Sequence, residues 1–163
     1  MSRLATASRR LALAAVLLVS ACSSTLAQPE QHDPNAMTAE VSASETRAEF
    51  ERVKGETPLP AAAGWKPVII DDGWYGQWGG GSMVEFQALC AWFREAADAS
   101  RENDAGRLAT ADEVLADIPS WRTFSDPALM DRTSRAFVLR LVDHARRREF
   151  IEVRRYLTAN CGP

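Results

Sequence analysis

Residues 82–100 read SMVEFQALCAWFREAADAS, and they decide the fold class. Phe86, Leu89, Cys90, Phe93 and Ala97 recur at spacings of three and four, which puts them on one face of an α-helix. Trp92 lies off that stripe and widens it. Ser82 and Glu85 stand at capping-box spacing: the hydroxyl would accept from the third helical N–H while the carboxylate reaches back. The helix is therefore expected to begin at Ser82. A one-sided helix must bury its stripe against neighbours. The expectation is a mostly α protein, a small bundle of three to five helices.

Working outward, Asn103 to Gly106 read as a connection, and Leu108, Ala111, Leu115 and Ile118 mark a second helix ending at Pro119. Trp121 and Phe124 anchor the loop after it. Asp126-Pro127 reads as a helix start, an N-cap followed by a first-turn proline. Leu129, Ala136, Val138, Leu141, Val142 and Ala145 carry the helical period onward, with a break near Asp131. Glu149 to Ala159 is a last helix or a continuation, with Asn160 and Gly162 as stop residues. Upstream, Val41, Ala48 and Val53 suggest a helix over 39–54 that stops at Gly55. Pro58 and Pro60 interrupt regular structure. Trp65 to Ile70 reads as a short strand or an extended segment on the helices, Asp71-Asp72-Gly73 as a turn, and residues 74–81 as a Trp/Gly-rich loop.

The chain has 163 residues, 46% hydrophobic and 25% charged, which excludes a wholly disordered protein. It holds one long apolar run, so a polytopic membrane protein is excluded too. That run is Leu11 to Val19, preceded by Arg3, Arg9 and Arg10 and followed by Ser20-Ala21-Cys22. A basic region, an apolar stretch and small residues are the layout of a secretory signal peptide. Its nine apolar residues are too few to cross a bilayer, which takes about 20.

Val19-Ser20-Ala21-Cys22 resembles the lipobox of bacterial lipoproteins. The resemblance covers only the first 22 residues. It implies diacylglycerol on the Cys22 thiol and, in the usual case, further acylation such as palmitate, with cleavage just before that residue. Ser23 next to it is the pattern that favours the outer membrane in a diderm. In other envelopes the anchor would hold the protein at the outer face of the plasma membrane. The alternative is free secretion after cleavage behind Ala27. The expected organisation is a signal peptide over 1–21, a disordered lipidated tether over 22–38 rich in Pro, Gln and Asn, and a helical domain over 39–163. Loss of three leader arginines leaves 16 basic against 22 acidic residues, a formal charge of −6. That excludes nucleic-acid binding driven by net charge, and leaves the lipid as the membrane attachment.

Cys22, Cys90 and Cys161 are the three cysteines. Lipidation consumes Cys22, so an even pair remains in an oxidising compartment, and a Cys90–Cys161 disulfide is expected in preference to two buried thiols. A catalytic thiol lacks a nearby His or a C-x-x-C spacing. Cys90-Ala-Trp92 together with the ending Tyr156-Leu157-Thr-Ala-Asn160-Cys161 resembles small exported proteins of high-GC bacteria, which implies a disulfide-stapled helical domain and no activity.

Trp74, Tyr75 and Trp78 are the candidate ligand-binding residues, amphipathic plates among glycines that suit a sugar or a peptide strand; the bland reading is that they plug the open end of the bundle. Arg146, Arg147, Arg148, Arg154 and Arg155 are the candidate anion-binding residues; the bland reading is a solvated helix face with local pairs such as Glu152 with Arg148. Asp71 and Asp72 read as a turn, and pairing either with Glu85 as hydrolytic carboxylates has nothing to select it. His144 has no second helical His at ligand spacing, and His32 falls in the tether, so no metal is expected; no catalytic residue and no cofactor are expected either. The function expected from this reading is a non-enzymatic, membrane-anchored binding or adaptor module that meets an envelope protein or cell-wall polymer. A cell-wall-polymer hydrolase, and a structural or inhibitor-like envelope protein, are the alternatives.

Overall fold

Ser42 opens the first helix with the capping geometry that the Ser82 motif had suggested for another. In the computed structural model, which describes residues 40–162, the Ser42 hydroxyl accepts from Glu45 N at 3.3 Å, and the Ser42 N–H donates to the Glu45 carboxylate at 2.8 Å. The segments expected as signal peptide and tether, with Cys22, lie outside the described residues. The helix, α1, spans Ala43–Glu56 and buries Ala43, Thr46, Phe50 and Val53. It runs through Gly55 and ends at Thr57, which is extended (φ −92°, ψ 126°) because the residue before a proline is pushed out of the helical region. Pro58, not Gly55, stops it. The preceding residues Glu40–Ser42 form a short strand, β1, instead of the helical turn expected from residue 39.

β1 pairs antiparallel with β2, Trp74–Gly76, in the register Glu40 to Gly76, Val41 to Tyr75 and Ser42 to Trp74. Of the two expectations for residues 65–70, the extended segment is the one observed: they lie outside any strand, and the strand pairing falls in the aromatic stretch that follows.

The long helix α2 spans Gly79–Glu102, three residues longer at its start than the sequence suggested. The cause is a close crossing. A Cβ at Gly80 would stand 2.3 Å from Thr46 O and 2.8 Å from Phe50 N, so only glycine lets the α2 backbone lie against α1. The free N–H of Gly81 donates to the Glu49 carboxylate on α1 at 3.1 Å, which supplies the cap from a neighbouring helix. Ser82 thus lies inside α2, with its N–H on Trp78 O at 2.9 Å.

Glu85 is freed for another task. It is buried, and its carboxylate accepts from Arg122 N at 3.2 Å and Thr123 N at 2.7 Å. These N–H groups open the one-turn helix α4, Arg122–Ser125, while Ser82 and Thr123 join through their hydroxyls at 3.1 Å. Glu85→Ala strands the buried Thr123 N–H and removes the partner of the part-buried Arg122 N–H, and is expected to destabilise by about 2 kcal/mol. A parallel drop in the urea midpoint without a change in slope would record it.

α3 spans Ala105–Asp117 behind its N-cap Asp104 and runs into a 3₁₀ turn at Ile118–Ser120. Asp126-Pro127 begins a turn and not a helix. α5, Arg132–Arg146, starts later, where Asp131 accepts from Thr133 N and Ser134 N at 2.9 and 3.0 Å. α6, Phe150–Asn160, is separate from α5, because Arg148 takes a left-handed turn (φ +67°) between them. The described residues thus hold six helices, one of them a single turn, where three to five were expected.

The helices close on a core in which Leu89, Phe93, Leu115, Ile118, Phe124, Leu141 and Val153 are wholly or almost wholly buried. A smaller cluster of Phe50, Val53, Ile70, Trp78 and Val84 sits where α1 meets the start of α2. The expected disulfide joins Cys90 on α2 to Cys161 just past α6, across 71 residues.

Candidate functional site

The segment that follows Pro58 borders a cleft. Trp92 turns its indole away from the Leu89–Phe93 stripe and donates from Nε1 to Pro58 O at 2.9 Å. Further on, Lys66 N donates to Gln87 Oε1 at 2.9 Å. Between these two pins the segment 59–67 arches over α2 and leaves a cleft of about 620 Å³. That volume falls within the range of small-molecule sites. Leu59, Pro60, Trp65 and Pro67 form one wall, and Phe86 and Ala91 of α2 form the other. Phe86 is fixed by an edge-on contact with Phe124, centroids 5.3 Å apart. Cys90 and Cys161 also line it, so the disulfide ties one end of the cleft.

The charged side is held in pairs. Glu95 takes Arg107 bidentately, at 2.6 and 2.8 Å, and Arg107 also reaches Glu102. The Arg107 hydrogen bonds hold the Glu95 carboxyl below its usual range, against the opposite push of burial. Asp98 pairs with Arg101 at 3.0 Å. Arg94 donates to Cys161 O at 2.8 Å and to Gly162 O, and Lys66 Nζ donates to Cys161 O at 3.0 Å. Two cations and a disulfide therefore fix the C-terminal backbone beside the cleft.

Comparison with protein-family models, with curated proteins and with solved structures gives no match.

The aromatic trio separates. Trp74 is 72% exposed, Tyr75 is half-buried on the other face of β2, and Trp78 is buried between Arg122 and Arg52, whose guanidinium carbons lie 4.4 and 5.5 Å from its ring centroid. Trp78 also occupies the left-handed N-cap of α2 (φ +66°), and its Nε1–H has no hydrogen-bond partner among the described residues. The three rings share no common surface. Trp78 packs in the small cluster with Phe50, Val53 and Val84.

The arginines also divide. Arg148 binds Asp112 bidentately at 2.6 and 2.7 Å, not Glu152, because the turn at Arg148 swings it toward α3. Glu152 approaches Arg140 at 3.9 Å instead. Arg147 meets Asp143 and Glu149, and Arg154 covers the Phe150 ring. Arg146 and Arg155 are exposed. Asp71 accepts from the Tyr75 hydroxyl, and this bond raises the phenol's pKa. Asp72 faces Arg47, while Glu85 is committed to α4. These carboxylates thus have separate partners. His144 Nδ1 sits 2.9 Å from Glu149. No cluster of three or more metal-ligating side chains occurs among the described residues.

The Glu95–Arg107 and Asp112–Arg148 pairs set an acid limit. Both carboxyls are held below their ordinary values by their arginines. Their stabilisation is complete above the unfolded-state values, about 4, and is lost as pH falls through the lower folded-state values. The Asp112 pair is a third exposed and contributes less, through solvent screening. Stability is expected to fall below about pH 4. Urea midpoints of a Glu95→Gln, Asp112→Asn double variant should show a shallower fall.

Proposed function

We propose that the protein is an exported, lipid-anchored module of a bacterial envelope that binds a ligand and carries out no chemistry on it. The ligand site is the cleft under residues 59–67, and the occupant is a small amphipathic molecule. Its apolar body would lie between Trp65 and Phe86, with its polar end toward Lys66 and Arg94. The observation that carries this reading is the coupling of cleft and disulfide: the bond expected for an exported chain lines a cleft of about 620 Å³. The leader and the lipobox resemblance supply the anchor. Surface attachment by charge has no support in a chain of formal charge −3, or −6 without its leader.

A hydrolase acting on cell-wall polymer would need free carboxylates across the cleft. Glu95 and Asp98 line it, but each is ion-paired, and Asp71, Asp72 and Glu85 are engaged elsewhere. A purely structural or inhibitor-like protein gives no reason for a cleft of this size.

The test is native mass spectrometry of the chain extracted from envelopes in mild detergent, beside an Ala91→Trp variant that fills the cleft. The expected result is a bound mass of a few hundred daltons on the parent and none on the variant. Equal occupancy of both, or a bare parent, overturns the assignment.

A further inference from the structure

Ile69 is 91% exposed and Trp74 72%, the two most exposed large apolar side chains among the described residues. They stand five positions apart on one surface segment, and the cleft uses neither.

That segment is fastened down. Arg47 on α1 donates to Ile70 O from Nε at 3.2 Å and from Nη2 at 2.6 Å, and reaches Asp72 at 3.3 Å. Ile70 is buried beneath, and the Tyr75 hydroxyl closes the turn onto Asp71 O at 3.2 Å. Ile69 and Trp74 are thus presented on a firm support, with nothing of this domain covering them.

Their position is the informative part. Trp74 is the register partner of Ser42, the last residue of β1. Opposed strand residues lie about 5 Å apart. β1 begins at Glu40, and the chain before it leads back to Cys22 through 17 residues. Fully extended, those residues reach about 60 Å. If Cys22 carries the lipid, the domain is confined within that distance of the bilayer, and the exposed indole sits where the anchor segment joins the fold. A short connection gives an effective concentration in the millimolar range, so a contact too weak to hold a free domain becomes populated. Indole suits the headgroup boundary, where one side of the ring is apolar and its N–H stays wet.

Charge narrows the surface. Asp71 and Asp72 lie between the two side chains along the chain, Glu40 stands opposite Gly76 in the strand pair, and Arg47 reaches Asp72. An anionic bilayer would be repelled; a zwitterionic one would not.

We infer that Ile69 and Trp74 form a membrane seat, a second contact by which the tethered domain rests on a zwitterionic phospholipid surface. The inference rests on the lipid-anchored reading of the chain and does not involve the cleft.

The experiment is fluorescence quenching of the full chain, as isolated from envelopes, in phosphatidylcholine vesicles with brominated acyl chains. Five tryptophans emit, so the parent is expected to lose about one fifth of its signal relative to plain vesicles, while Trp74→Phe loses almost none. Ile69→Ser should reduce the parent's loss by roughly half, and an added anionic lipid should weaken it at low salt. Far-UV circular dichroism of both variants should match the parent, since both side chains are exposed. Equal quenching of parent and Trp74→Phe overturns the seat, as does no quenching of either. Shielding of Trp74 that appears only when envelope proteins are added also overturns it, in favour of a protein partner. Intact mass on the same sample reads acylation of Cys22 separately: an acylated chain without Trp74 quenching removes the seat alone, and an unacylated chain removes the anchor, with the quenching still deciding the seat.

Discussion

Replacing Cys90 and Cys161 together by alanine is expected to lower the melting temperature by roughly 10–20 °C. The bond closes a loop of 71 residues, for which the chain-entropy relation gives about 4 kcal/mol. Both cysteines are buried, and the C-terminal backbone they fix also receives Arg94 and Lys66. Loss of the bond would leave those donors to hold the end of α6 alone. Reductant should reproduce the shift in the parent and do nothing to the variant. Calorimetry with and without dithiothreitol checks both. A parent whose melting is insensitive to reductant would mean that the bond adds no stability.

Gly80→Ala and Gly55→Ala should act with opposite sign, although both glycines are helical. At Gly80 the added methyl would sit 2.3 Å from Thr46 O and 2.8 Å from Phe50 N, between the two ends of an α1 hydrogen bond. Backbone on both sides leaves nothing cheap to move, so α1 and α2 must separate, at about 3 kcal/mol. Gly55 has nothing within 4 Å of its would-be Cβ and lies in the last turn of α1. There alanine should stabilise by about 0.5–1 kcal/mol. Urea melts of the two variants decide it, and a tolerated Gly80→Ala would show that the crossing is looser than drawn.

Periodicity alone made the helical class legible, because Leu89, Phe93, Leu115, Leu141 and Val153 repeat on faces that the fold buries. Cysteine parity pointed to the bond that the structure contains. Capping was misread for a physical reason. S-x-x-E occurs at both 42–45 and 82–85, and local pattern cannot tell an N-cap from a Ser and Glu recruited by a distant helix. Glu85 serves α4, 37 residues away, and Glu49 serves α2 from 32 residues away. In the Trp/Gly stretch, Gly80 answers a helix crossing and Trp78 packs under two arginines, neither of which local pattern shows.

The cleft was not visible in the sequence. Its wall is a segment without regular period, spanned between Trp92 and Gln87. The available signals were Pro58 and Pro60, read only as breaks, and Trp92, which lay off the apolar stripe. An off-stripe tryptophan on a well-formed helix marks a segment packed across it. A cavity under that segment needs coordinates.

We propose a processed, acylated and oxidised chain that works outside the cytosol. Intact mass spectrometry of material taken from envelopes without reductant measures all three properties at once. The expected species runs from Cys22 to Pro163, carries added diacylglyceryl mass, and is two hydrogens lighter than its reduced form. A chain that retains Met1 to Ala21, lacks acyl mass and bears free thiols at Cys90 and Cys161 would contradict it.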